Sequence, residues 1–175
     1  MNGELLYFAY GSNLHPLRLG ERVPSARLLE TARLAGHALR FHKRGRDGSA
    51  KCNALWTGVG RDVVLGALYR LPAAERARLD RFEGAGNGYD RHEVVVEGAA
   101  GPLAAFTYLA VSGAVDETLR PFDWYRDLVA AGARRQALPA AYVARVEAVM
   151  AIADPDEARA LEHARLLACL AESGC

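Results

Sequence analysis

The stretch Tyr7-Phe8-Ala9-Tyr10-Gly11-Ser12-Asn13-Leu14 governs how this chain folds. An apolar, aromatic run that begins near residue 4 stops at glycine. Residues 4–10 therefore read as a buried strand entering a turn. Residues 15–23 follow as a short helix, with Pro16 in the first turn, where its missing N–H does no harm. A Gly-Ser-Asn turn before a helix can aim successive backbone N–H groups at one spot, which suits a carboxylate or an oxyanion. Gly11 would let a ligand come close to the backbone. A plain strand–turn–helix with Ser12 or Asn13 as helix cap fits the same residues, and spacing leaves both readings open. A nucleophilic Ser12 fits less well. It lacks a Gly-x-Ser-x-Gly elbow, and His15 has no orienting acid nearby in sequence.

Outward from this stretch, residues 25–43 fit two extended segments broken near Gly36, and 45–49 form a polar loop. Residues 52–57 and the β-branched 63–71 read as strands. A helix is expected from Pro72 to about Glu83, stopped by Gly84, Gly86 and Gly88. Residues 89–97 and 103–111 are two more strands joined by a turn. After Pro121 the texture changes to Ala-rich segments. Helices are expected over 122–136, 140–152 and 157–171, the last with Asp154 as cap and Pro155 at its first position. Strands first and helices later indicate an α+β fold, and the number of strands points to a small closed or nearly closed barrel.

Three further segments carry candidate chemistry. In Leu79-Asp80-Arg81-Phe82-Glu83-Gly84, helical spacing puts Leu79, Phe82 and Glu83 on one apolar face. Glu83 would then point inward at the negative end of the helix dipole. Burial and dipole both raise a carboxylate's proton affinity, as a general acid/base requires. A solvated Glu at a frayed helix end fits the spacing equally. In Phe122-Asp123-Trp124-Tyr125, Tyr125 offers a hydroxyl to a ligand or simply packs in the core. The basic run His42-Lys43-Arg44-Gly45-Arg46 either holds an acidic substrate tail or is a solvated loop.

Composition excludes other classes. The chain has 175 residues, 51% apolar and 25% charged, with net charge +1. That gives no strong field for nucleic acid or an anionic membrane. No segment approaches a membrane helix, and the N-terminus has no basic leader. Three cysteines (Cys52, Cys169, Cys175) at wide spacing suit a reducing cytoplasm, with Cys175 a terminal thiol able to cross-link. The five histidines form no His-x₃-His pair and there is no Cys-x₂-Cys, so no metal site is expected. No dinucleotide or Walker-type glycine loop occurs, so no cofactor is expected.

Taken together, four pieces resemble the γ-glutamyl cyclotransferase-like family. They are the opening octapeptide, Gly66-Ala67-Leu68-Tyr69, the Leu79–Gly84 block with Tyr89 after it, and Trp124-Tyr125 followed by Gly132-Ala133 and Leu138-Pro139-Ala140-Ala141-Tyr142. The Asp47-Gly48-Ser49 loop is similar to the bacterial branch, near the γ-glutamylamine cyclotransferases. Ser12-Asn13 differs from the Tyr-Gly-Ser-Leu turn usual in glutathione-specific relatives. The resemblance implies a small mixed β-barrel flanked by helices over residues 1–152, with 153–175 a C-terminal helical extension packed on it. It implies release of 5-oxoproline and a free amine or amino acid from a γ-glutamyl amide by intramolecular aminolysis. Glu83 would be the acid/base. Tyr7, Phe8, Ala9, Tyr10, Gly11, Ser12, Asn13, Leu14 and Tyr125 would bind substrate. The enzyme would be a monomer or homodimer. The alternative is a non-catalytic module that binds a γ-glutamyl or other carboxylated metabolite.

Overall fold

The computed structural model describes residues 3–172. Cys175, the terminal thiol of the sequence reading, lies outside them. Among the described residues seven strands form: β1 (Glu4–Ala9), β2 (Arg27–Ala35), β3 (His37–Arg44), β4 (Ala50–Trp56), β5 (Val63–Pro72), β6 (Tyr89–Gly98) and β7 (Gly101–Ala110). Five of them close a barrel in the order β1-β5-β2-β6-β7. Its neighbours run antiparallel except at the seam, where Tyr7 of β1 pairs parallel with Phe106 of β7. The barrel is thus mixed and closed, as expected, but β3 and β4 stand apart as a separate two-stranded hairpin.

Among the described residues five α-helices flank these strands: α1 (Pro16–Arg22), α2 (Arg76–Glu83), α3 (Asp123–Arg135), α4 (Ala140–Glu147) and α5 (Glu157–Glu172). No helix among the described residues is long and apolar enough to cross a membrane. The core is continuous through barrel and helices. Phe8, Leu14, Leu19, Leu68, Leu79 and Val96 are each fully buried, a burial worth about 1.5–3 kcal/mol per large side chain.

Three expected boundaries move, each because a tertiary pairing overrides a local signal. Pro72 does not open a helix. It pairs with Glu4 as the last residue of β5, and a short 3₁₀ turn, Ala73–Glu75, intervenes before α2. The fourth helix stops at Glu147, not Ile152. Ile152 instead bridges Phe122: its N–H donates to Pro121 O at 3.0 Å, and its carbonyl accepts from Asp123 N at 2.9 Å. Asp154 does not cap α5. Asp156 accepts from Arg159 N there, at 3.0 Å. Asp154 is buried and receives Trp124 Nε1 at 2.7 Å and the Arg159 guanidinium at 2.5 and 2.6 Å. With His163 stacked on Trp124 at 3.7 Å, these contacts dock α5 onto α3.

Candidate active site

Local chemistry first positions the opening turn. β1 delivers Tyr10 and Gly11, and Ser12–Leu14 then coil into one 3₁₀ turn, with Leu14 N donating to Gly11 O at 3.0 Å. The Leu14 carbonyl is clamped by Tyr69 Oη at 2.8 Å and Gln136 Nε2 at 2.7 Å. α3 can press on this turn because residue 132 is glycine. A Cβ there would lie 2.5 Å from Leu14 Cβ and 3.0 Å from His15 N.

Glu83 comes from the end of α2. Gly84 takes the left-handed conformation (φ 68°, ψ 41°), and Ala85 N returns to Asp80 O at 2.9 Å, which ends the helix one residue beyond Glu83. Leu79 is fully buried on the inward face, and Glu83, one turn later, is only 16% exposed. Phe82 does not share that face. It is half exposed, with the Arg22 guanidinium 5.7 Å from its ring centre.

Asn13 joins the two segments. Its Nδ2 donates to Glu83 Oε1 at 2.7 Å and to Tyr7 Oη at 3.1 Å, and its Oδ1 accepts from Arg22 Nη1 at 2.9 Å. Arg22 Nη1 also reaches Glu83 Oε1 at 3.1 Å. This places a guanidinium beside the carboxylate that sequence reading missed, since Arg22 lies 61 positions away.

Tyr7, Asn13 and Glu83 face a small cavity of about 30 Å³. Tyr7, Tyr10, Tyr89, Tyr108 and Tyr125 form much of its wall, and Gly11, Ser12, Asn13, Cys52 and Glu83 complete it. Glu83 is the one carboxylate among these lining residues. Burial raises the pKa of all five phenols, aided by Glu83 at Tyr7, Cys52 at Tyr10 and Tyr125, Tyr125 at Tyr89, and the hydrogen bond to Asp80 at Tyr108. Burial likewise pushes the Cys52 thiol up to about 12. At neutral pH these phenols and the thiol are therefore protonated and uncharged.

Most of those hydroxyls are committed. Tyr10 and Tyr89 donate to the Tyr108 and Cys52 carbonyls, and Tyr108 donates to Asp80 Oδ1 at 2.7 Å. Tyr125 Oη accepts from Cys52 N at 3.1 Å. Tyr7 accepts from Asn13, and its own proton has no acceptor among the described residues. Space at Gly11 is limited: a Cβ there would sit 3.3 Å from Cys52 Cβ, slightly tight, and 3.5 Å from Tyr125 Oη, an ordinary contact.

Of the expected substrate-binding residues, Tyr7, Tyr10, Gly11, Ser12, Asn13 and Tyr125 meet Glu83 in this cavity. Phe8, Ala9 and Leu14 are fully buried outside its lining. Phe8 covers Gly66, and Leu14 faces α3. Cys52 and Tyr108 join the wall without having been foreseen as site residues, as does Tyr89, which entered only as part of the family pattern. All three lie on strands whose alternation gave no sign of which end meets the Gly-Ser-Asn turn.

The closed mixed barrel thus carries one carboxylate facing a glycine-containing turn. The family described as Gamma-glutamyl cyclotransferase, AIG2-like matches residues 7–127. The chain is 30% identical over 153 residues to the gamma-glutamylcyclotransferase of Homo sapiens, covering 82% of this chain and 78% of that protein. It is 29% identical over the same length to the Bos taurus protein, with the same coverage. Among solved structures, a gamma-glutamyl cyclotransferase superposes with a TM-score of 0.80 at 24% identity, covering 95% of this chain and 99% of that one. The chain belongs to the γ-glutamyl cyclotransferase family and is an enzyme of that class. Membership decides against the non-catalytic binding module.

Proposed function

We propose that this enzyme releases 5-oxoproline and a free amine from γ-glutamyl amides, with Glu83 carrying the proton. The supporting observation is the position of Glu83: one part-buried carboxylate, held by Asn13 and Arg22, faces the cavity bounded by residues 11–13. The substrate's α-amine attacks its own γ-carbonyl carbon. The new C–N bond closes a five-membered ring, and the C–N bond to the leaving amine breaks. No water is consumed and no enzyme nucleophile takes part. Curling the glutamyl chain is therefore much of the task, since well-oriented internal reactions reach effective molarities of about 10⁵ M or more.

Glu83 acts twice. It accepts a proton from the substrate ammonium, which frees the nucleophilic lone pair, and gives it to the departing nitrogen; the second proton shed by the attacking nitrogen as the lactam forms leaves with the released amine as its ammonium. Such proton transfer contributes roughly 10²–10⁴-fold. The first N–H groups of the 3₁₀ turn lack intrahelical acceptors and suit the substrate α-carboxylate or the oxyanion. The uncommitted Tyr7 proton is a further donor, and protonated phenols do not repel either anion.

The test is Glu83→Gln, which keeps shape and hydrogen-bond reach but cannot exchange the proton. In an assay of 5-oxoproline release from a panel of γ-glutamyl amides, kcat is expected to fall by at least about 10²-fold, with substrate binding retained. A variant with near-normal turnover would remove Glu83 from the mechanism.

A further inference from the structure

A second concavity shares no lining residue with the cavity at Glu83. It encloses about 690 Å³ between β5, strand β3 of the separate hairpin, and α4. Small-molecule sites are of this size, roughly 300–1,000 Å³. Its floor is apolar and includes Leu39, Phe41, Leu65 and Val146. The Leu65 main chain is satisfied within the groove. Leu65 N donates to Tyr142 Oη at 3.3 Å, and that hydroxyl donates to Leu65 O at 3.2 Å. The same two bonds pin α4 to β5 and hold two walls of the groove together.

The rim has a different chemistry. Arg33, Arg40, Arg61 and Arg145 line it, with one carboxylate, Asp62, among them. The whole chain has a net charge of only +1, so this is a local concentration of cations. Arg40 and Arg61 are exposed and have no ion pair or side-chain hydrogen bond among the described residues. Arg33 meets Glu97 only at 3.9 Å, with both side chains mostly exposed. Arg145 lies over Tyr142, 5.2 Å from the ring centre. Cations gathered on one rim repel one another, and an anion among them offsets that repulsion. Guanidinium groups suit carboxylate and phosphate oxygens, which they can bind in pairs. A second copy of this chain fits the groove less well, because a two-fold contact would set the same arginines against themselves.

We propose that this groove binds a small organic anion with an apolar body. Its carboxylate or phosphate head lies among Arg40, Arg61 and Arg145, and its hydrocarbon part lies on Leu39, Phe41, Leu65 and Val146. The site is distinct from that at Glu83 and does not depend on the reaction proposed there.

Calorimetric titration with octanoate, octyl phosphate and octan-1-ol tests it. The better of the two anions is expected to bind at least about tenfold more tightly than the alcohol, the value of a hydrogen bond to a charged group. It should also exceed its short counterpart, acetate or inorganic phosphate, by about tenfold or more, because the chain buries several CH₂ groups. The tighter anion identifies the head that the rim accepts. Combining Arg40→Gln, Arg61→Gln and Arg145→Gln is expected to remove the advantage over the alcohol, with the circular dichroism spectrum unchanged. If that variant fails to fold, Arg40→Gln with Arg61→Gln decides, since neither side chain has a partner to lose. An anion that binds no better than the alcohol, no better than its short counterpart, or equally well to the arginine variant overturns the site. Sedimentation velocity addresses the other occupant: a wild-type dimer that a folded Leu39→Asp variant cannot form would assign the groove to a second copy and overturn the ligand.

Discussion

Asn13 makes three contacts with one side-chain amide: Tyr7, Glu83 and Arg22. It touches the Glu83 carboxylate from the side and fixes where its oxygens point. Asn13→Ala is expected to lower kcat by up to about 10²-fold, the usual cost of a small misplacement at the reacting centre. KM should move less, because the tyrosine wall stays in place. Steady-state kinetics with circular dichroism decides this: an Asn13→Ala enzyme of wild-type kcat would reduce the network to packing. At this scale Glu83 was legible because positions 79 and 83 share a helix face, and that spacing is local. Arg22 was not, because its partner is 61 residues away and no period links them. The expected inward turn of Phe82 failed for a related reason. Helical spacing defines a stripe, but the packing of neighbours decides where the stripe ends, and Phe82 falls on the solvent side, near Arg22.

Among the elements, α3 offers a contest between propensity and space. Gly132 sits inside a thirteen-residue helix, where alanine would gain about 1 kcal/mol in propensity. The added Cβ would lie 2.5 Å from Leu14 Cβ and 3.0 Å from backbone, and overpacking of this kind costs about 1–3 kcal/mol. The clash should win. Gly132→Ala is expected to lower the denaturation midpoint and, by pushing on the 3₁₀ turn, to lower kcat/KM as well. A variant more stable than wild type would show that α3 does not press on this turn. The docking of α5 has a pH signature with a defined sign. Arg159 holds the Asp154 carboxyl well below the ordinary carboxylate range, so its contribution is fully present above about pH 4 and is lost only as pH falls further. Boundaries that local chemistry controls, such as the Gly84 stop, were readable. Those set by pairing with a distant strand or segment, at Pro72 and Ile152, were not.

For the molecule as a whole, the tyrosine wall predicts an alkaline limit. Folded, the five phenols hold their protons above the ordinary value near 10, and unfolded they release them there. Above about pH 10 the unfolded state binds fewer protons than the folded one, so stability falls as pH rises and is unaffected by these groups below that point. Denaturation midpoints measured between about pH 8 and pH 11 should drop late, with tyrosinate absorbance appearing together with unfolding. Tyrosinate forming while the fold signal persists would mean that the wall is open to solvent. The sequence by itself determined the α+β class, the approximate positions of the strands and the Gly-Ser-Asn turn, because each rests on periodicities of two or 3.6 residues and on glycine chemistry within a few positions, whereas it left the direction of Glu83 open. Only the tertiary structure decided which five strands close the barrel, that β3 and β4 leave it, that Arg22 reaches Glu83, and that Cys52, Tyr89 and Tyr108 line one cavity with it. Closure and convergence depend on register between segments tens of residues apart, and no local pattern encodes that register.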